Sequence, residues 1–391
     1  MKVSDREGGS LLRRCRRGST CWRTGTLGGA VACTLALSAL LTGGALACSA
    51  FNIAAGAGVV TAKNLDWHEE IPGAVIVNPR GVDKSVLPWR GWWPDPEERP
   101  PVRWVSRFGS LTFSAWGRDF IAGGMNEEGL VVEQASLTAT YPPDDGRPGV
   151  SCAQWMQYQL DSFATVEDVL VHLCDLRPDG EGWHYLVADR AGDCAVIEYV
   201  GGEPVVFRGD DLPHPVLTNT ATESAQKNLP LDRAFGGEID IASGGDSCGR
   251  FVRIAALLRD AAAVPDGDLE KLAFRVLEAV RHEVDTRRSI VWLQTEGRVV
   301  WTTRSNREPR WLRLGDLDFS EGAPALLADA SAGAGDVTGL LFEWTPEANR
   351  TLVFEARRSA RGDTGANTSL EARGLTVDEA LELIAGHPVG R

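Results

Sequence analysis

The sequence divides at residue 47, where a basic and then apolar leader gives way to a chain that begins with a cysteine. Residues 1–47 carry seven basic and two acidic side chains, and an apolar run ends in Ala45-Leu46-Ala47. This order is typical of a secretory signal peptide. The apolar run is shorter than the roughly 20 residues that a membrane span needs. We therefore expect cleavage after Ala47 and a periplasmic or extracellular protein that starts at Cys48; the arginine pairs of the leader leave both Sec and Tat export open.

A cysteine at the start of the mature chain would supply two reactive groups from one residue. An unperturbed thiol has a pKa of about 8.5 and a free α-amine one of about 7.7 to 8.0, so a nucleophile and a base would stand together at neutral pH. The alternative is an exported lipoprotein binding module in which Cys48 is lipidated and nothing is catalysed. Ala45 stands where a lipobox prefers leucine, and residues 49–51 run into a predicted strand without a tether. We therefore favour Cys48 as a nucleophile over Cys48 as a lipidated residue.

Charge and residue spacing argue against several other functions. The chain has 40 Lys and Arg against 54 Asp and Glu, a formal charge of −14, which disfavours a nucleic-acid partner. The histidines and cysteines lack zinc-ligand spacing, and the sequence has no dinucleotide-binding loop and no P-loop, so we expect neither a metal nor an organic cofactor. With the leader removed we expect no stable membrane insertion. The cysteines at 152, 174, 194 and 248 would allow up to two disulfides, in three pairings that the sequence leaves open.

The mature chain is predicted to be strand-rich, with helices between the strands. Alternating apolar residues and turn signals predict hairpins at 49–55 with 59–66 and at 290–293 with 299–303, and a meander over 185–207. The first hairpin would bring residues 63–66 beside Cys48. Apolar residues at helical spacing, with capping residues, predict the remaining elements. These are helices at 151–161, 165–173, 247–260 and 268–284, and a short one after Thr376.

Six segments appear in a fixed order along residues 48–315. They are Cys48-Ser49-Ala50-Phe51, Ala62-Lys63-Asn64-Leu65-Asp66-Trp67, Gly124-Met125-Asn126-Glu127-Glu128-Gly129-Leu130, His184-Tyr185 with Ala195-Val196-Ile197-Glu198, Leu217-Thr218-Asn219, and Gly245-Asp246-Ser247-Cys248-Gly249-Arg250-Phe251. In this order they resemble the choloylglycine hydrolase family of linear amide C–N hydrolases. That family includes penicillin V acylases, bile salt hydrolases and some acyl-homoserine lactone acylases. The resemblance implies an N-terminal nucleophile (Ntn) hydrolase fold, an α+β, four-layer αββα sandwich of two antiparallel sheets over residues 48–355, followed by a tail at 356–391 with a short helix.

The same resemblance assigns roles to individual residues. Cys48 matches the nucleophile, and Asp66 matches the carboxylate that hydrogen-bonds it. Asn219 matches the side-chain amide of the oxyanion hole, where one donor is worth about 3 to 4 kcal/mol of barrier. Arg250 matches the permanent cation beside the site. The implied reaction is acyl transfer through a thioester.

Two positions depart from the best-known pattern of the family. Lys63 stands where bile salt hydrolases have arginine; it supplies a point charge without the two-pronged contact, and we keep it among the catalytic residues. Ser136 falls where relatives place Asn or Tyr near the oxyanion, and its backbone N–H would serve there.

The resemblance also implies a small-molecule amide substrate and leaves its identity open. Penicillin V-like amides, fatty-acyl amides, acyl-homoserine lactones and conjugated bile salts are the candidates, and the predicted export favours the first three. The tryptophan-rich stretch with Trp89, Trp92 and Trp93, continuing to Trp104, either lines an acyl site or packs as a rigid loop. A dimer or tetramer is the expected homo-oligomer.

Overall fold

The computed structural model describes residues 48–56, 58–67, 73–87, 101–114, 117–143, 146–180, 182–262, 268–359 and 382. The predicted leader, the residues Trp89, Trp92 and Trp93, and the start of the helix expected after Thr376 lie outside these ranges.

Two large sheets form the centre of the described chain. The nine-stranded sheet contains β3 Ala74–Asn78, β6 Ser110–Ser114, β7 Ile121–Asn126, β8 Val131–Ser136, β11 Trp183–Ala188, β12 Cys194–Val200, β13 Glu203–Arg208, β18 Leu326–Asp329 and β20 Phe342–Glu343. The seven-stranded sheet contains β1 Ser49–Ala55, β2 Gly58–Asp66, β14 Val216–Leu217, β15 Thr286–Leu293, β16 Arg298–Thr303, β17 Arg310–Arg313 and β19 Gly335–Asp336. Two small pairs join β4 Asp83–Ser85 to β5 Arg103–Val105, and β9 Gly149–Ser151 to β10 Arg177–Asp179.

The strand order explains how distant segments meet. It runs β13-β12-β11-β8-β7-β6-β3-β18-β20 in the larger sheet and β14-β1-β2-β15-β16-β17-β19 in the smaller one. All neighbours in both sheets are antiparallel except β17 and β19. The predicted hairpins and the meander are confirmed as β1–β2, β15–β16 and β11–β12–β13.

Helices cover the outer faces of both sheets. They are α1 Cys152–Ser162, α2 Val166–Val171, α3 Thr222–Asn228, α4 Ser247–Ala262, α5 Leu269–Ala279 and α6 Pro346–Ser359, with short 3₁₀ turns at Gly209–Asp211, Leu229–Leu231, Arg233–Phe235, Leu314–Asp316 and Thr338–Leu340. Thr165 caps α2 as predicted, accepting from the backbone N–H of Asp168. The prediction that α5 runs to residue 284 was wrong, because the chain turns at His282, whose N–H donates to the Thr286 hydroxyl at the start of β15.

Apolar side chains divide the described chain into four layers. Helices α1 and α2 pack on the nine-stranded sheet through residues such as Trp155 and Leu160, and α4 and α5 pack on the seven-stranded sheet through residues such as Phe251 and Val276. Between the sheets, the side chain of Trp292 packs with aromatic and aliphatic residues of both. Full burial of each large side chain is worth about 1.5 to 3 kcal/mol. The predicted αββα sandwich is confirmed.

The first hairpin lies inside the seven-stranded sheet, between β14 and β15. In its register Ala50 lies opposite Lys63 and Ser49 opposite Asn64, so Cys48 comes to the end of β2. The helix α6 runs across the boundary placed at residue 355. Among the described residues, no helix has the length and apolar character that crossing a membrane requires.

Candidate active site

Cys48 lies directly before β1, in the space between the two sheets. Its side chain is buried among small and aliphatic residues that include Ala50, Leu65 and Ala135. The Sγ atom donates to the backbone oxygen of Asp66 at 3.6 Å. The β1–β2 hairpin thus holds the thiol against the last residue of β2.

Asp66 ends β2 opposite Thr286 and is fully buried. Neither of its carboxylate oxygens makes a hydrogen bond of good geometry within the described chain. Burial raises the pKa of Asp66 to about 6, and the nearby Thr286 hydroxyl and Arg250 only partly offset that effect. A buried carboxylate without hydrogen bonds raises the free energy of the folded protein, and a cationic donor beside it would reduce that penalty.

Lys63 reaches from β2 to the opposite sheet. Its Nζ atom lies 2.9 Å from the Glu133 carboxylate on β8 and donates to the backbone oxygen of Ala122 at 2.8 Å. Glu133 also accepts from the indole N–H of Trp292 at 2.6 Å. A Cβ atom on Gly123 would lie 2.1 Å from the same carboxylate, so the close approach of β7 requires glycine there.

Arg250 links the helix layer to Cys48. From the first turn of α4 its guanidinium donates to the Ser49 hydroxyl at 3.1 Å, to the Cys48 backbone oxygen at 3.5 Å and to the Asn219 side-chain oxygen at 2.9 Å. A fourth bond reaches the Gly245 backbone oxygen at 3.1 Å. The planar group with several fixed donors therefore orients both β1 and the Asn219 amide.

The side-chain amide of Asn219 contacts the backbone of Ser136. Asn219 Nδ2 donates to the Ser136 backbone oxygen at 2.9 Å, which leaves that nitrogen a second hydrogen to donate. The Leu137 N–H bonds the Gly182 oxygen opposite it, so in the antiparallel ladder the N–H and C=O of Ser136 both point away from β11. The backbone N–H of Ser136 consequently faces the same side as the Asn219 amide.

The surroundings of Cys48 set the charge state of its thiol. Burial raises the thiol pKa, Lys63 lowers it, Asp66 raises it and Arg250 lowers it, and the net direction is upward. The thiol therefore keeps its proton at neutral pH. A reaction at this sulfur needs a base that removes the proton as the bond forms.

The structure brings together the residues that the sequence singled out. Five of them, at positions 48, 66, 136, 219 and 250, are linked through direct contacts or through a shared neighbour. Lys63 acts on the Cys48 thiol through its charge. Sequence reasoning missed Glu133, although a carboxylate between apolar residues, as in the segment that forms β8, is itself a signal of a buried ion pair.

Other sequence-based hypotheses have different outcomes. Trp104 is buried and donates its indole N–H to Asp161 at 2.8 Å, which favours the packing alternative for this residue. None of the three cysteine pairings occurs, because Cys152, Cys194 and Cys248 are present as thiols.

Comparison with known sequences adds to this geometry. Residues 48–230 match the family model of linear amide C–N hydrolases, choloylglycine hydrolase family. The penicillin V acylase of Pectobacterium atrosepticum is 29% identical over 254 residues, which cover 58% of this chain and 64% of that protein. The matched part of the chain thus spans somewhat less than two thirds of the length of this curated relative.

Comparison with solved structures extends the likeness of the fold. Penicillin V acylase from Agrobacterium tumefaciens superimposes with a TM-score of 0.65 at 24% identity, over 76% of this chain and 98% of the other. A mutant of the conjugated bile acid hydrolase from Clostridium perfringens gives a TM-score of 0.60 at 16% identity, over 74% and 98%. At these identities the likeness is one of fold.

Proposed function

We propose that this chain, whose residues 48–230 match the family model of linear amide C–N hydrolases, choloylglycine hydrolase family, is an amidohydrolase whose nucleophile is the N-terminal Cys48 of the mature protein. The observation that carries the proposal is the buried Asp66 carboxylate beside Cys48, which makes no hydrogen bond of good geometry with any residue that the structure describes. Cleavage after Ala47 would turn the Cys48 backbone nitrogen into a free α-amine, which becomes an ammonium group when it takes up a proton. That group would supply the cationic donor that the carboxylate lacks.

The proposed reaction is acyl transfer in two steps. The neutral α-amine of Cys48, directly or through a water, takes the thiol proton as the sulfur attacks the amide carbon. Asn219 Nδ2 and the Ser136 N–H donate to the oxyanion. The C–N bond breaks, the leaving amine takes the proton, and the acyl group stays on sulfur as a thioester. Water then attacks the thioester, giving the carboxylic acid and restoring the thiol.

The charged residues have separate parts in this scheme. Asp66 orients the Cys48 amine and balances its charge. Lys63 and Arg250 both lower the pKa of the thiol and so favour the developing thiolate. Arg250 also fixes the Asn219 amide through its oxygen, which turns Nδ2 outward as a donor. This division explains why three ionised side chains surround one sulfur atom.

For the substrate we propose a small-molecule linear amide with a phenoxyacetyl-type or fatty acyl group. Penicillin V acylases supply both the curated relative and the solved structure with the higher identity. The test is a panel of penicillin V, a long-chain acyl-homoserine lactone and glycocholate with purified mature protein. We expect hydrolysis of at least one of the first two to exceed that of glycocholate; faster hydrolysis of glycocholate would overturn the substrate proposal.

Substitution of Cys48 tests the nucleophile. We expect Cys48→Ala to abolish hydrolysis of every amide in the panel and to remove labelling by iodoacetamide at this position. Cys152→Ala is the matched control, since Cys152 is a second buried thiol that begins α1 on the outer side of the larger sheet, and the activity of this variant should stay within about twofold of the unsubstituted protein because changes at sites without shared partners usually act independently. Equal losses from both substitutions would contradict the assignment.

Intact mass separates the amidohydrolase from the lipoprotein alternative. We propose that the exported protein begins at an unmodified Cys48, in the periplasm or outside the cell. Mass spectrometry of the protein recovered after export should give the mass of residues 48–391. A mass increase of the size of acyl chains on Cys48 would favour the lipoprotein and leave the site without its base.

A further inference from the structure

Asn219 lies in a short irregular stretch rather than on a helix or strand. The stretch joins β14, which ends at Leu217, to α3, which begins at Thr222. A side chain that donates to an oxyanion has to be held to within a fraction of an ångström. Something outside the stretch must therefore fix its backbone.

One end of the stretch is bound by a buried histidine. His184 on β11 is fully buried, and its Nε2 atom donates to the backbone oxygen of Thr218 at 2.6 Å. Thr218 immediately precedes Asn219. The bond therefore fixes the peptide group that leads directly into the Asn219 backbone.

The other end is bound by the residue opposite His184 on the next strand. Glu198 on β12 accepts from the backbone N–H and the hydroxyl of Thr222, both at 2.7 Å, through the same oxygen that faces the histidine. Ala221 stands at the N-cap of α3 and supplies no capping side chain. Glu198 therefore takes over that capping function from a neighbouring strand.

The two side chains also bind each other. His184 Nδ1 lies 3.2 Å from the Glu198 carboxylate. Burial would raise the pKa of Glu198, yet hydrogen bonds from His184 and Thr222 hold it below its usual range, so the group is a carboxylate and accepts. Both ring nitrogens thus face acceptor oxygens. A buried polar pair of this kind is a poor source of stability compared with apolar residues, which points to a positional purpose.

A hydroxyl network fixes the middle of the stretch. The Ser247 hydroxyl donates to the Thr218 hydroxyl at 3.0 Å and accepts from the Thr220 hydroxyl at 2.7 Å. Ser247 begins α4, the helix that carries Arg250. The two neighbours of Asn219 are thereby tied to the element that binds its side-chain oxygen.

We infer that His184 and Glu198 are positioning residues for the reaction, which hold residues 218 and 222 so that Asn219 Nδ2 meets the oxyanion. The inference rests on the proposed function. Neither residue touches a reacting atom, and each acts through the backbone on either side of Asn219. Loss of the histidine would free the stretch at Thr218 and leave Cys48 and its amine in place.

The first test separates oxyanion stabilisation from thiol reactivity. On the panel amide that the unsubstituted protein hydrolyses fastest, we expect His184→Ala to lower kcat by about 10- to 100-fold with little change in KM, the pattern of a lost transition-state contact. Alkylation of Cys48 by iodoacetamide should keep its rate, since displacement at the reagent carbon forms no oxyanion. His184→Gln, which can still donate to Thr218, should recover part of the loss. Ile197→Val, on the opposite face of β12, is the control and should match the unsubstituted protein.

The second test asks whether the histidine acts through Asn219. In a double-mutant cycle, His184→Ala should cost less than about threefold in kcat once Asn219→Ala is present, because residues that act as one unit are not additive. Full additivity, or alkylation slowed as much as hydrolysis, would overturn the inference. Glu198→Gln removes the negative charge that His184 and Thr222 bind, should also lower kcat, and serves if His184→Ala does not fold; unchanged kcat in this variant would also overturn the inference. Failure of the unsubstituted protein on every amide would instead overturn the proposed function, and the inference with it.

Discussion

Single residues at the site owe their properties to burial as much as to their chemistry. Lys63 and Glu133 form an ion pair whose side chains are 1% and 0% exposed. Such a pair is roughly neutral for stability as a whole, but removing one charge leaves the other buried and uncompensated. The two residues therefore depend on each other far more than a surface pair does.

We predict that Glu133→Gln lowers the free energy of unfolding by about 3 to 5 kcal/mol, because the charge of Lys63 would stay buried without its carboxylate. The matched control is Glu223→Gln, which breaks the exposed pair with Lys227 and should cost about 0.5 kcal/mol or less. Urea unfolding at pH 7 measures both. Equal midpoints for the two variants would contradict the assigned ion pair.

The pKa of Asp66 predicts that stability depends on pH differently in a chain with a blocked Cys48 amine and in one with a free amine. With a peptide bond before Cys48, the carboxyl pKa is about 6 in the folded state and about 4 in the unfolded chain. The folded state then binds more protons, so stability should fall by roughly 2 to 3 kcal/mol as pH rises from 4 to 6. A chain starting at Cys48 has an ammonium beside the carboxylate, and its decrease should be smaller.

The experiment compares the mature protein with a version that carries one extra residue before Cys48. Unfolding free energies between pH 4 and pH 6 are measured for both, and the other titrating groups cancel in the difference. Parallel curves would show that the amine does not meet Asp66.

At the scale of elements, the contacts of one helix divide into those that serve the site and those that serve packing. Arg250 and Arg253 lie one turn apart on α4, and each guanidinium donates to several oxygens. Arg253 bonds the backbone oxygens of Ala242, Ala279 and Gly244. Arg250 bonds the elements that carry Cys48 and Asn219.

We predict that Arg250→Lys lowers kcat at least about 10-fold, because an ammonium cannot bind β1 and Asn219 at the same time. Arg253→Lys loses a comparable set of bonds away from the nucleophile, and its kcat should stay within about twofold of the unsubstituted protein once stability is matched. Steady-state kinetics on the preferred panel amide give the comparison. A similar loss in both variants would mean that α4 acts through packing alone.

Sequence patterns predicted the elements better than they predicted the contacts between them. The first hairpin, the meander and four helices follow from alternation, helical spacing and capping residues. The ion pair of Lys63 with Glu133 does not, because it joins strands of different sheets, and periodicity within a strand carries no information on what faces it across a core. Cys48 was indicated by the predicted leader cleavage, but the roles of Asp66 and Asn219 came from a resemblance to a family, whose motifs record contacts that one sequence alone cannot reveal.

At the scale of the whole molecule, both sheets contribute to one site. The smaller sheet supplies Cys48, Lys63 and Asp66, the larger one supplies Glu133 and Ser136, and the outer helix α4 supplies Arg250. Such a site forms only when the layers have assembled. The expected dimer or tetramer stays a prediction, which size-exclusion chromatography with light scattering would test.

Removal of the leader is predicted to switch on activity without building the fold. A chain that retains residues 1–47 should still fold, and because it has no α-amine at Cys48 it should hydrolyse no amide of the panel. Circular dichroism and the panel assay check the two halves of this statement. Activity in the uncleaved chain would show that another group acts as the base.

Gly123 has no side chain, yet the ion pair of Lys63 with Glu133 near the Cys48 thiol depends on it. Glu133 fills the space that a methyl group at Gly123 would occupy, and as a fully buried group it has nowhere to retreat. Gly123→Ala would displace the Glu133 carboxylate from Lys63. The charge of Lys63 acts on the Cys48 thiol, so the substitution would change the environment of the thiol without replacing either residue. In a redesign of this protein, Gly123 should therefore be retained while the residues around the site are changed.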